Sequence, residues 1–561
     1  MTRVKFLSTL CVMLFAASSL FAAKSLEGVL YYKIGYYQQA QEMLLKDLAA
    51  GNGTPSEIYY YLGNIESKYN DNPTKAAEYY TKGLGSNPKK PEVFNSIGLL
   101  RLKIKTDLAA AKEGFEKIYK ANRKNLLVAV EIGYAFLDNK ELDLASEYQG
   151  YAYGRNSQYA PAHILWGDYM NALGDGNMAA TSYEQAIACD PHAYEAYVKY
   201  SRIISHVNLT AAVERLNELK QKAPELSLAN KELSEVYYKT GRFEKEAAAA
   251  YEEYIKANNY VTEDLKQYAA VLLFANRYEE SLTIARRGLV NEPNDPSFSR
   301  MVMYSLVELE RYDEATVAAE HFFNKTTKPQ FSYLDYMYRG RLNDAVQNYD
   351  QAASDYLQAI AIDTSKTDIK HFYLMAIQAY EATGKLDKGI AVFEKYMATP
   401  YAQLPESKAD NLMELGRMYY GLGISRDTLV QQSITRIDAL TKAYEIFKQV
   451  EPLEPDDYRS YYWQGSAASQ LDPRCEKEDA KNAYIKALEI CKAKYAETGN
   501  EQYQQYIVTC VNFLCFYYYQ RYVATDYTDD ALKSEMLKYA EELSKLDPGN
   551  NTAAQILEVF K

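Results

Sequence analysis

Residues 160–191 read APAHILWGDYMNALGDGNMAATSYEQAIACDP, and this stretch decides the fold. Two segments of helical hydrophobic spacing flank Gly174-Asp-Gly, a break that favours a turn. Pro191 closes the second segment, because proline lacks the N–H that would continue a helix. The spacing predicts two short amphipathic helices packed antiparallel. Gly167, Ala179, Tyr183, Ala186 and Pro191 stand at fixed offsets, and the flanking chain can be laid out as copies with a period of about 34 residues.

Two antiparallel helices approach closely only where side chains are small. Glycine on the first helix is therefore expected to face alanine on the second. The aromatic and the small residue three positions later are expected to pack on the next unit.

Working outward, Gly133, Ala145 and Ala152 mark the unit before, Gly98 and Phe115 the one before that. Tyr59, Leu62-Gly63, Tyr80, Gly83 and Pro88 form a close match, and Gly35 with Ala40 a partial first unit. Toward the C-terminus the offsets recur at Ala269, Ser281, Ala285, Gly288 and Pro293, then at Gly340, Ala352, Tyr356 and Ala359. Later copies carry Leu415-Gly416 with Tyr419, and Gly465, Ala480, Tyr484 and Ala487. Extra residues around Gly423–Asp438 and at Asp472-Pro-Arg-Cys lengthen two units.

The pattern of Leu-Gly, Tyr, Ala, aromatic, Ala and Pro resembles the tetratricopeptide repeat family, and the resemblance covers nearly the whole chain after residue 23. It implies an all-α fold, an α-solenoid of tandem helix–turn–helix repeats forming a right-handed superhelix. The expected organisation is an N-terminal and central array over 24–400, a C-terminal array with insertions over 401–550, and a capping helix over 551–561.

Composition agrees with a folded array: of 561 residues 48% are hydrophobic and 25% charged. The net charge of −12 excludes a basic field for nucleic acid. The 55 tyrosines fall mostly at helix-facing offsets, so core packing is their expected role.

Residues 1–23 differ from the rest. Arg3 and Lys5 precede an apolar run, Phe6–Ala17, and small residues follow to Ala22-Ala23, the order of a secretory signal peptide cut near Ala22. The run is shorter than the roughly 20 residues a spanning helix needs. The expected location is periplasmic, with no transmembrane anchor after cleavage. Beyond the leader, Cys189, Cys475, Cys491, Cys510 and Cys515 form no disulfide framework. A bridge from Cys491 to Cys510 or Cys515 is one expectation and buried thiols the other.

No constellation carries chemistry. His163, His192, His206, His321 and His371 lie in different units, without a histidine or carboxylate at i+4 to build a zinc site. A Gly-x-Ser-x-Gly elbow and a phosphate loop are both absent from the sequence. Catalytic, cofactor-binding and metal residues are expected to be none.

The resemblance places the first helices on a concave surface suited to protein or peptide segments. Carried onto this chain, the family's inward offsets give Tyr60, Asn95, Leu99, Leu102, Val130, Tyr134, Leu137 and Ile164 as candidate partner-binding residues. Asn64, Leu127 and Asp168 share that face; Arg202, Lys231, Glu235, Lys266, Arg300, Tyr304 and Arg341 continue it as a more polar wall. Asn64 and Asn95 imitate part of a C-terminal carboxylate clamp, but Leu127, Val130 and Glu131 follow where a cation is required. The chain is similar to envelope tetratricopeptide proteins of Gram-negative bacteria. That likeness implies a non-catalytic exported scaffold that assembles or organises envelope protein complexes. The alternative is an accessory glycan- or peptide-binding module of an outer-membrane uptake system.

Overall fold

The helices start and stop where local chemistry dictates. In residues 160–191, Pro161 occupies the first turn, where a missing N–H costs nothing. Gly174 takes φ +84° between the helices. The Asp175 carboxylate then accepts the Met178 N–H and caps the second helix. Asn72, Asp107, Asn208, Asp295 and Asn550 cap other helices in the same way.

The computed structural model describes residues 27–85, 92–241, 244–257, 260–326, 329–363, 369–425 and 434–561. The expected signal peptide, 1–23, and residues 426–433, half of the extra segment around Gly423–Asp438, lie outside these. Contacts divide the chain into two units, Met1–Leu309 and Glu310–Lys561. The sequence-based boundary at residue 400 falls inside the second.

In the first unit, α1 (residues 27–33) is followed by α2 (Tyr37–Ala50), α3 (Pro55–Lys68) and α4 (Pro73–Gly83). Next come α5 (Val93–Lys103), α6 (Leu108–Ala121), α7 (Leu126–Asp138) and α8 (Leu142–Tyr153). The pair α9 (Ala160–Ala172) and α10 (Gly176–Cys189) precedes α11 (Tyr194–Ile204) and α12 (Leu209–Lys222). The unit ends with α13 (Leu228–Thr240), α14 (Glu244–Lys256), α15 (Thr262–Phe274), α16 (Tyr278–Asn291) and α17 (Pro296–Glu308). Neighbours in sequence pack as antiparallel hairpins.

The second unit includes α18 (Pro405–Ile424) paired with α19 (Arg436–Val450), and α20 (Tyr458–Leu471) with α21 (Asp479–Thr498). They precede α22 (Glu501–Val523) and α23 (Asp530–Leu546). The C-terminal segment forms α24 (Asn551–Phe560), which buries Ala553 and Ile556. Its Phe560 ring meets Tyr519, Tyr522 and Tyr527.

The small residues act differently from expectation. A Cβ on Gly167 would fall on the ring of Tyr183, not on alanine. Tyr80 is held from both sides, by Gly63 of its own hairpin and Gly98 of the next. The hairpins of Gly63, Gly167, Gly340, Gly416 and Gly465 thus sink the aromatic of the second helix, Tyr80, Tyr183, Tyr356, Phe447 or Tyr484, into the glycine notch of the first. At Gly133, where the matching residue Gln149 is not aromatic, the following hairpin fills the notch: Leu165 lies over Gly133. Volume is conserved while its source changes.

The five cysteines after the leader are free thiols, so the bridge expected from Cys491 does not exist. Cys491, Cys510 and Cys515 are fully buried in one apolar cluster, and burial pushes the Cys491 thiol up to about 12 and Cys515 to about 11. Among the described residues no helix is long and apolar enough to cross a membrane.

Candidate functional site

The helices α7, α9 and α11 turn one row of side chains toward the inside of the first unit. That row includes Val130, Glu131, Tyr134, Leu137 and Asp138 from α7, Ile164 and Asp168 from α9, and Glu195, Lys199 and Arg202 from α11. They enclose a cavity of 440 Å³. The opposite wall is the chain's own α1 and the turn after it: Tyr32, Lys33, Ile34 and Gly35.

Asp168 is the hub of this surface. Its carboxylate accepts Tyr134 Oη at 2.8 Å, Tyr183 Oη at 2.7 Å and Lys199 Nζ at 2.5 Å. Tyr183 is the ring seated on Gly167, so the packing notch and the cavity wall share one side chain. Burial, with Asp168 adding to it, raises the Tyr134 phenol well above its usual range and keeps it a hydrogen-bond donor.

Charges elsewhere on the wall are paired. Lys33 Nζ lies 2.9 Å from Glu195, and Lys68 Nζ 2.7 Å from Asp138. Arg101 also reaches Asp138 and donates to Asn64 Oδ1 at 2.8 Å. Burial opposes the charges of Lys33 and Glu195, but each outweighs that for the other: the lysine pKa rises and the carboxyl pKa falls. Glu131 differs, because burial dominates and raises its pKa even though Tyr60 Oη donates to it at 2.6 Å.

The row continues beyond the cavity. Arg202 donates Nε and Nη2 to Glu232, at 2.8 and 2.6 Å, and Nη1 to the Ile34 carbonyl at 2.5 Å. Lys231 and Gln39 both reach Asp264 Oδ1, at 2.7 and 2.6 Å, and Tyr254 Oη donates to Oδ2 at 2.8 Å. Lys231 Nζ stands 3.7 Å from the Tyr36 ring centre.

The structure brings Val130, Tyr134, Leu137 and Ile164 together on the 440 Å³ cavity. Tyr60 lies on a smaller adjoining cavity of 280 Å³ that also touches Phe94, Leu127 and Glu131. Asn95 is fully buried and donates to the Ser56 carbonyl, so it is spent within the fold. Leu99 and Leu102 are half-buried against the first core cluster. Tyr60, Val130 and Ile164 are also buried. Sequence reasoning missed Lys33, Glu195 and Lys199. The one usable signal was the change from apolar to charged residues at the inward offsets from Asp168 onward. Nothing local announces that α1 lies opposite them, 162 residues away at Lys33–Glu195.

No protein-family model matches the sequence, and no curated protein does. Solved structures do. The C-terminal part of a TPR repeat-containing protein from Cytophaga hutchinsonii shares 23% identity over 52% of this chain and 99% of that one, TM-score 0.35. A tetratricopeptide repeat protein from Parabacteroides merdae shares 18% over 45% and 99%, TM-score 0.34. The APC/C Cut9–Hcn1 hetero-tetramer shares 14% over 90% and 96%, TM-score 0.32. What defines the fold is the chain's own recurrent unit: paired antiparallel helices, with the aromatic of one sunk into the glycine notch of the other. The fold is that of a tetratricopeptide-type α-solenoid. Among the described residues no group of histidine, cysteine and carboxylate side chains could hold a metal ion. The solenoid's inner surface offers donors, acceptors and aromatic faces, which suit recognition.

Proposed function

We propose that this solenoid is a non-catalytic protein-binding scaffold, exported to the periplasm, that organises envelope protein complexes through the inner face of its first unit. One observation carries the reading: that face already holds a helix, by side-chain pairs, cation–aromatic contacts and capture of a backbone carbonyl. Helix-in-groove recognition uses the same contacts between chains. The test is a photo-crosslinking residue at Leu137, on the cavity, compared with one at Val207, which is 84% exposed. Capture of a discrete protein from Leu137 alone supports the reading; capture from neither site, or the same products from both, refutes it. Export is tested by fractionation, with loss of the exported form on removal of residues 1–23 as the expected result.

The second reading, a glycan- or peptide-binding module of an uptake system, draws on a different place. In the second unit, half-exposed Tyr458, Tyr462, Trp463 and Tyr506 surround a 290 Å³ cavity beside Arg417 and Arg459. Aromatic faces of this kind stack on sugar rings. Quenching of Trp463 fluorescence by oligosaccharide, abolished in Trp463→Leu, would favour it; no quenching would remove it.

A further inference from the structure

Repeats of a solenoid contact their immediate neighbours. The first hairpin, α1–α2, does more. Tyr31, fully buried, approaches Tyr254 at 3.5 Å between hydroxyls, and Gln39 reaches Asp264, pairs separated by 223 and 225 residues. Its Val29, Leu30, Tyr31 and Ile34 enter the core cluster that also holds Ile164, Tyr197 and Leu233. The hairpin lies across the inner face from α11 to α15.

Its attachment has the character of a ligand. α1 ends in a left-handed Gly35, φ +89°, with Gly35 N–H on the Tyr32 carbonyl and Tyr36 N–H on the Tyr31 carbonyl. That turn presents the Ile34 carbonyl to Arg202, while Lys33 meets Glu195 and the Tyr36 ring meets Lys231 and Arg202. The cavity of 440 Å³ lies directly beside α1, so the hairpin does not fill the space it occupies. Its joint to α3 is Gly51-Asn-Gly-Thr, with both glycines at positive φ, 70° and 72°.

We propose that the α1–α2 hairpin is a displaceable occupant of the inner face, and that the partner which replaces it is an amphipathic helix of another protein. That helix carries an aromatic, a cation and an aliphatic residue at the offsets of Tyr31, Lys33 and Ile34. Glu195 selects the cation, and Arg202, itself held by Glu232, selects the exposed carbonyl at the helix end. The proposal rests on the scaffold reading, and its partner is the scaffold's.

The test uses the full chain. Hydrogen exchange read by mass spectrometry should show amides 27–36 exchanging at least tenfold faster than those of α9 and α11. A labelled synthetic peptide of residues 27–50 should bind a Lys33→Glu/Ile34→Asp variant at least tenfold more tightly than the unaltered chain, with helical circular dichroism preserved. Equal protection of 27–36 and α9 overturns the proposal, as does equal peptide binding by both chains. If the variant fails to fold, the exchange pattern of the unaltered chain decides. Exchange of hairpins between copies, seen as dimerisation by light scattering, overturns the partner-helix assignment. Opening of the hairpin without any capture from Leu137 refutes the scaffold reading and leaves the hairpin mobile. Capture without opening refutes the hairpin alone.

Discussion

Gly167→Ala and Gly150→Ala are the same chemical change on neighbouring hairpins, and they should move stability in opposite directions. Both glycines lie inside helices, where alanine is intrinsically better by about 1 kcal/mol. At Gly150 a Cβ meets nothing within 4 Å, so the full gain should appear. At Gly167 the Cβ would overlap the Tyr183 ring, which is 1% exposed and tied through its hydroxyl to Asp168. Overpacking costs about 1–3 kcal/mol. Displacing the ring also strains a hydrogen bond to a carboxylate, worth about 1.5–3 kcal/mol. After the helix gain is subtracted, Gly167→Ala should destabilise by about 1.5–5 kcal/mol. A solenoid of this length does not unfold in one step. The assay is therefore hydrogen exchange of α9 and α10 amides, alongside calorimetry. Gly167→Ala should accelerate exchange in those helices, and Gly150→Ala should slow it in α8. A double change, Gly167→Ala with Tyr183→Leu, should cost less than the sum of the two, because the clash is removed with the ring. Equal signs for the two alanines, or strict additivity in the double variant, would refute the notch.

Glu131→Gln should stabilise the protein near neutral pH. Burial raises the Glu131 pKa, so the folded chain holds that proton to higher pH than the unfolded chain does; stability falls as pH rises through this window, and the amide avoids the loss while still accepting from Tyr60. A higher Tm for the variant at pH 7, with the advantage shrinking toward pH 4, is the expected scan; a lower Tm at pH 7 contradicts it. Gly35→Ala should cost about 1–2 kcal/mol, since alanine resists the φ of +89° that ends α1. The cost should appear as faster exchange of residues 27–36 with α9 unchanged. Thiol titration of the folded protein at pH 8 should modify the partly exposed Cys189 and spare Cys491, Cys510 and Cys515 until denaturant is added. Immediate reaction of the three would contradict their burial.

What could be read from the sequence was what lies within one hairpin. Gly167 and Tyr183 sit 16 positions apart, and their spacing alone predicted the pairing of α9 with α10. The partner of the glycine was misassigned because the sequence does not say whether a notch receives Ala179 or the longer reach of Tyr183. The inner row was legible by offset, so Val130, Tyr134, Leu137 and Ile164 do meet on one cavity. What covers that row was not legible. The contacts of the α1–α2 hairpin with α11 and α15 join residues 162 to 225 positions apart, and no local pattern encodes a separation of that kind. Asn95 shows the same gap at short range: its offset reads as inward, but the Ser56 carbonyl consumes its amide.

The charges inside the first unit give the hairpin what apolar contact alone cannot. Hydrophobic contact alone would let a terminal hairpin slide along the inner face, since burial is non-directional. Lys33 against Glu195, Arg202 against the Ile34 carbonyl and Gln39 against Asp264 fix one register, because each has its partner in that register only. Buried ion pairs give little net stability, and registry is their best-attested use. A surface that specifies register by paired charge also discriminates among helices that compete for it. On the proposed reading, the residues that hold the first hairpin in place would also choose a partner, so specificity would rest with Glu195, Arg202, Lys231 and Asp264 more than with the leucines of α5.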